Sequence, residues 1–225
     1  MCERAICCYF IHGTSPQLRI MAWTSFRYSL YAPFYDLLAW PLGAARRRAV
    51  TQAGIRPGDH VLIVGCGTGL DLAHIPPSCR VTATDLSVRM LESMRRRARA
   101  LGRDVTLLRM DAEKLDFPSG SGETGFDVVL LHLVAAVVPD GRACVHEAVR
   151  VLKPGGTLSL FDKFRPGSRT RPGLLRRILN IPARFFFSDI NRRAEDLIGQ
   201  EPVTVIRDQP VAFGGIFRAL TCIRT

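Results

Sequence analysis

Several features that would settle a compartment or a metal are missing from this chain. No apolar run among its 225 residues reaches the roughly 20 residues that a helix needs to cross a bilayer. Its seven cysteines are odd in number and include no C-x-x-C pair. That argues against a disulfide framework and against a zinc site, and for a reducing cytoplasm. Neither an internal repeat nor a low-complexity tract interrupts the chain. Acidic residues are scarce: 20 Asp and Glu stand against 31 Lys and Arg, for a net charge of +11. Such an excess suits an anionic partner, whether nucleic acid, an anionic membrane surface or an acidic substrate; arginine-rich genomic composition is the alternative source. The apolar patch over 5–11 is broken by His12 and has neither the basic cluster nor the small-residue cleavage site of a secretory signal. Residues 1–25 are expected to form a poorly structured extension, with Met21 an alternative start, and residues 26–225 a single unit. At 47% apolar and 23% charged residues, the rest has an ordinary globular composition.

What is present is concentrated in VLIVGCGTGLDL at 61–72. A short apolar strand runs directly into glycines at every second position, Gly65, Gly67 and Gly69. Such a loop lets the backbone turn sharply and approach a ligand where a Cβ would not fit. A second apolar stretch, 80–84, ends in Asp85, at an offset suited to a ribose diol. Dinucleotide folds place the third glycine three positions after the second, to meet a pyrophosphate. Here the interval is two and position 70 is Leu, which points to a different nucleoside-type cofactor.

The remaining periodicity gives alternating strands and helices. Strands are expected over 60–64, 80–84, 105–109, 126–131 and 157–161, with a final antiparallel pair over 203–207 and 216–223. Helices are expected over 26–53 (one or two), from Leu70 to Pro76, over 88–101 capped by Ser87 and closed by Gly102, from Pro139 to Leu152, and over 174–187 and 190–198. The prediction is α/β: a Rossmann-like, seven-stranded, mainly parallel sheet with helices on both faces and an antiparallel C-terminal edge hairpin. The arginine runs 46–48 and 95–97 read as solvated helix faces. The run over 165–193 differs, because its arginines interleave with Leu, Ile and Phe185-Phe186-Phe187.

VLIVGCGTG, Asp85 after the second strand, Asp111-Ala112 after the third, FDVVLLHL as the fourth and RVLKPGGTLSLFD into the fifth resemble class I S-adenosylmethionine-dependent methyltransferases. Many relatives carry an acidic residue where this chain has Ile63 or Val64. The resemblance implies S-adenosylmethionine as cofactor. It sets the methionine part over Gly65, Cys66, Gly67 and Gly69, the ribose on Asp85, and the adenine against Leu86, Asp111 and the Ala112 amide. The alternative for Asp111 is a helix or turn cap, and its place after the third strand favours the cofactor.

His132 ends the fourth strand, beside the expected methyl group. It is a candidate for cofactor contact and catalysis, and equally for a satisfied core histidine. Tyr31 and Tyr35 are candidates for substrate binding, Tyr35 also for catalysis, with simple helix packing as the alternative. Asp162 is set either to receive a substrate ammonium or to cap Lys163 and Phe164. GTGLDL with HIPP, LHLVAAVVPD and FDKF resemble small bacterial phosphatidylethanolamine N-methyltransferases and share much with ubiquinone/menaquinone C-methyltransferases. The implied acceptor is amphiphilic: a phosphatidylethanolamine headgroup, or alternatively a quinone precursor methylated on carbon. The expected place is the cytoplasm, with reversible binding of 165–193 to the inner membrane face. No RNA-reading aromatic motif is present, which disfavours nucleic acid. The sequence does not give the oligomeric state.

Overall fold

The structure, a computed structural model, describes residues 40–121, 124–164 and 193–225. Seven strands form one sheet: β1 His60–Val64, β2 Arg80–Asp85, β3 Val105–Arg109, β4 Phe126–His132, β5 Leu152–Lys163, β6 Val203–Ala212 and β7 Phe217–Arg224. Their order is β3-β2-β1-β4-β5-β7-β6. Pairs from β3 across to β5 are parallel, and β7 runs antiparallel to both β5 and β6. This is the mainly parallel α/β sheet with an antiparallel edge hairpin that the periodicity predicts. The chain leaves β1 toward β2 and β3, then crosses back to β4, so the carboxyl ends of β1 and β4 flank a switch point where such sheets bind ligands.

Four helices are described: α1 Gly43–Gln52, α2 Val88–Ala100, α3 Gly141–Arg150 and α4 Ala194–Ile198. Helix α2 starts where the Ser87 hydroxyl accepts from the Met90 N–H. It stops where Gly102, at φ 62°, lets the Arg103 N–H return to the Ala98 carbonyl. Helix α3 starts at Asp140, whose carboxylate accepts from the Arg142 and Ala143 N–H groups. Strand alternation assigns the two faces. Leu62, Val64, Val129, Leu131, Leu158 and Leu160 pack with Cys144, Val145 and Ala148 of α3. Val61, Ile63, Val81, Ala83, Val128 and Leu130 pack with Leu91, Met94 and Ala98 of α2.

Three expectations change. The helix expected after Leu70 is a single 3-10 turn, Leu72–His74. Proline at 76 and 77 leaves too little chain for a helix, and Leu72 and Ile75 are instead anchored in the core. Strand β5 begins at Leu152 rather than 157. Pro154-Gly155-Gly156 lies within it, where a register shift against β4 absorbs the irregularity. Strand β6 runs on to Ala212. The expected extension 1–25, the helical stretch 26–39, the helix 174–187 and residues 190–192 lie outside the described residues.

Candidate functional site at the carboxyl ends of β1, β2 and β4

The glycine loop follows β1 without a break. Gly65, Gly67 and Gly69 lie at φ 60°, 53° and 82°, a region that L side chains rarely adopt. Space excludes a side chain as well. A Cβ on Gly65 would stand 2.5 Å from Val134 Cγ2, and one on Gly69 would overlap Met94 Sδ. The loop is therefore wedged between the turn after β4 and helix α2. The Cys66 N–H donates to the Thr84 carbonyl at 2.8 Å, and the Gly69 N–H to the Cys66 carbonyl at 2.9 Å. The Cys66 thiol is buried, and burial pushes its pKa well up, with the charges of Asp85 and Asp71 adding to the effect. It stays protonated, and position 66 contributes backbone to the loop.

Asp85 closes on this loop. Its Oδ2 accepts the Gly67 N–H at 2.9 Å, and its Oδ1 accepts the Ser87 N–H at 2.8 Å. Burial raises its pKa, and the amide hydrogen bonds counter that only in part. Each oxygen of an ionised carboxylate has more than one acceptor direction, so two amides leave capacity for a diol. A bare glycine floor beside an anchored acceptor fits a nucleoside cofactor with an amino-acid tail.

On β3, Arg109 pairs with Asp85, which brings Leu86 and the Asp111-Ala112 pair to the same end of the sheet. The Leu86 carbonyl accepts from Arg109 Nε at 3.1 Å. Asp111 forms a local turn: its Oδ1 accepts the Glu113 N–H at 3.0 Å and its carbonyl accepts the Lys114 N–H at 3.1 Å. Ala112 is half-buried against the core.

His132 is only 4% exposed, and both of its ring nitrogens are engaged. Nδ1 lies 2.9 Å from Asp71 Oδ1, and Nε2 lies 3.0 Å from Ser159 Oγ. Asp71 in turn binds Arg46 Nη1 at 2.6 Å through Oδ2. Arg46 and His132 outweigh burial and hold the Asp71 carboxyl at about 2, against an ordinary 3.8. An ionised carboxylate only accepts, so Nδ1 of His132 carries the proton. The chain Arg46–Asp71–His132–Ser159 therefore joins α1, the loop after Gly69, β4 and β5.

Arg46 corrects the reading of 46–48 as a solvated face, because it is 4% exposed while its two arginine neighbours face solvent. The signal was helical spacing: Arg46 shares a face with the buried Ala49 and Val50. Asp71, an acidic residue between Leu70 and Leu72, is the other sign in the sequence of a buried ion pair.

Asp162 is buried. Its Oδ2 accepts the Ala136 N–H at 2.9 Å and its Oδ1 the Lys163 N–H at 2.8 Å, which ties the end of β5 to the turn after β4. Leu133, between His132 and that turn, lies at φ 61°, a strained conformation of the kind that gathers at ligand sites. Tyr31 and Tyr35 lie outside the described residues. Among the described residues, no group of three or more His, Cys, Asp or Glu is placed to hold a metal ion, and no helix is long and apolar enough to cross a membrane.

Residues 62–160 match the family described as Methyltransferase domain. Over 182 residues the chain is 33% identical to a phosphatidylethanolamine N-methyltransferase of Cereibacter sphaeroides, covering 78% of this chain and 84% of that protein. Over 129 residues it is 38% identical to a demethylmenaquinone methyltransferase of Symbiobacterium thermophilum, covering 55% of this chain and 50% of the relative, so it spans about half of that protein's length. Among solved structures, a geranyl diphosphate C-methyltransferase of Streptomyces coelicolor A3(2) superposes with a TM-score of 0.65 at 17% identity, over 80% of each chain; at that identity the likeness concerns the fold.

Proposed function

The chain belongs to the class I S-adenosylmethionine-dependent methyltransferases, and on that premise we propose that it methylates a lipid-linked amine, the headgroup nitrogen of phosphatidylethanolamine. The observation that carries this reading is the reach of the likeness to the Cereibacter sphaeroides enzyme, which extends well beyond the cofactor-binding core. The excess of arginine supports it, since a basic surface favours a phosphate-bearing acceptor at an anionic bilayer. In the same reading, the protein adsorbs reversibly through 165–193, a segment that falls almost wholly outside the described residues. Binding to anionic vesicles then exceeds binding to neutral ones and fades as salt shortens the Debye length.

When bound, the cofactor supplies an electrophilic methyl group for direct displacement. The protein's own work is alignment. The glycine loop and Asp85 fix one partner, and the His132–Leu133 end of β4 borders the space where the acceptor must arrive. An ammonium with a pKa of roughly 9–10 must lose a proton before it can attack. Both ring nitrogens of His132 are engaged by protein partners, so Asp162, whose two amide contacts leave acceptor capacity, and Tyr35 are the remaining side chains in the catalytic set for that role.

The test is incubation of the protein with methyl-labelled cofactor and total lipid extract, followed by resolution of the products. Label is expected in methylated derivatives of phosphatidylethanolamine. Label in the quinone fraction would replace this reading with carbon methylation, which the Symbiobacterium thermophilum relative favours. Label in neither, with the protein retained on nucleic acid, would remove both.

A further inference from the structure

The turn between β6 and β7 exposes two large apolar side chains that the cofactor site does not use. Phe217, at the start of β7, pairs with Lys163 at the carboxyl end of β5. The turn therefore stands at the same end of the sheet as the glycine loop. It is tied there by the Phe164 N–H, which donates to the Ile216 carbonyl at 2.9 Å. Phe213 is 58% exposed and Ile216 39%. Phe213 also lies at φ 48°, ahead of Gly214 at 62° and Gly215 at 91°. A bulky residue in that region is an outlier, whereas Asn or Asp adopts it far more readily. The fold thus accepts a phenylalanine where both backbone and solvent disfavour one. Its ring leans on Phe217 at 5.7 Å between centroids, so the side chain is propped at the tip of the hairpin.

A cation stands beside the hairpin tip, and the chain is basic. Lys163 Nζ stands 5.9 Å from the centroid of Phe217. Directly after Phe164 the sequence carries eight arginines and one aspartate over 165–193. Exposed aromatic and aliphatic side chains near a lysine, on a chain of net charge +11, match an anionic lipid surface, with rings at the headgroup level and charges on the phosphates.

We propose that the turn 213–216 is a membrane-inserting wedge that docks the cofactor-binding end of the sheet onto anionic lipid. The proposal rests on the lipid-acceptor reading for its purpose, though not for its test. Insertion directs the glycine loop toward the bilayer, so an acceptor headgroup reaches the site without leaving the surface.

The full chain carrying Phe213→Trp is mixed with vesicles of phosphatidylethanolamine and phosphatidylglycerol, and its emission is compared with that of the parent protein. A blue shift and quenching by brominated acyl chains are expected. A double variant, Phe213→Asn with Ile216→Ser, keeps a residue suited to positive φ. It should partition to those vesicles about tenfold more weakly, with unchanged affinity for S-adenosylmethionine as the check on folding. Unshifted emission together with unchanged partition overturns the wedge. So does loss of self-association in the double variant with partition intact, which would assign the tip to a second copy of the chain. If the parent methylates phosphatidylethanolamine in detergent micelles while the Phe213→Trp emission stays still, the wedge fails and the function stands. If the emission shifts on vesicles and no lipid is methylated, the function fails and the wedge stands.

Discussion

Asp85 and Asp71 flank one glycine loop and are treated in opposite ways. Asp85 is held by two backbone amides, and burial raises its pKa. Asp71 is held by a guanidinium and an imidazole, and their influence takes its pKa down to about 2. A carboxylate that must still accept from a ligand is best left without a cation, because a cation would occupy its lone pairs. A carboxylate that only joins elements is best saturated. On the proposal that Asp85 meets the cofactor's ribose, the difference in electrostatics separates a binding group from a structural one on either side of the same loop.

The strongest way to break this comparison is Asp71→Ala. The change leaves Arg46 buried without its partner, and Arg46 Nε already has no hydrogen-bond acceptor among the described residues. Removing one member of a buried pair costs about 3–5 kcal/mol, to be read as a lower urea midpoint. Replacing both members, Arg46→Met with Asp71→Leu, should recover part of the loss, since no buried charge remains while the His132 Nδ1 proton loses its acceptor. A single-variant loss below about 1 kcal/mol would mean that the pair holds nothing.

Asp85→Ala should reverse the pattern. A charge-assisted hydrogen bond is worth about 1.5–3 kcal/mol, so calorimetry should show S-adenosylmethionine binding weakened by at least tenfold. Stability should move little, because the lost amide contacts are offset by removing a carboxylate whose ionised form is disfavoured by burial. Unchanged affinity in a folded variant would refute the ribose assignment, and a parallel titration with NAD tests the competing hydride-transfer class.

Acid sharpens the contrast. The folded pKa of Asp71 is depressed, so its contribution is complete above pH 4 and is lost as pH falls from about 4 to about 2. The shift corresponds to about 2 kcal/mol, and that part of the acid slope should vanish in Asp71→Asn. The folded pKa of Asp85 is raised, so its ionised form weakens the fold above its ordinary titration range and the penalty eases on acidification. Cofactor affinity should therefore begin to fall at a higher pH than an exposed carboxylate would dictate.

What could be read in advance follows the same division. Strands β1 and β3 end where the sequence predicts, because apolar alternation and flanking turns are local signals. The glycine loop and Asp85 were also legible, since both sit at the ends of adjacent strands at a fixed spacing. The helix expected after Leu70 does not form because two apolar anchors and a double proline outweigh local propensity. In the Arg46–Asp71–His132–Ser159 chain, the spacing of Arg46 and the apolar flanks of Asp71 mark buried positions, but the pairing is not legible. Its links join residues 25, 61 and 27 positions apart, and only the fold brings them together.

The smallest expected effect decides what His132 does. Ser159 Oγ stands 3.0 Å from Nε2 and also lies 3.4 Å from the Ala49 carbonyl, so it is the outer end of the buried chain. Ser159→Ala removes one neutral hydrogen bond at a cost of about 1 kcal/mol, which for a chain of this size lowers the Tm by roughly 2–4 °C. If His132 is a positioning residue, kcat keeps the shape of its pH profile, and Ser159→Thr, which restores the hydroxyl, recovers the Tm. If His132 exchanges a proton with substrate, freeing Nε2 from its serine displaces a limb of that profile. A displaced limb would return the imidazole to catalysis. A lower Tm with an unmoved profile would leave it as the link that holds β4 to the loop after Gly69.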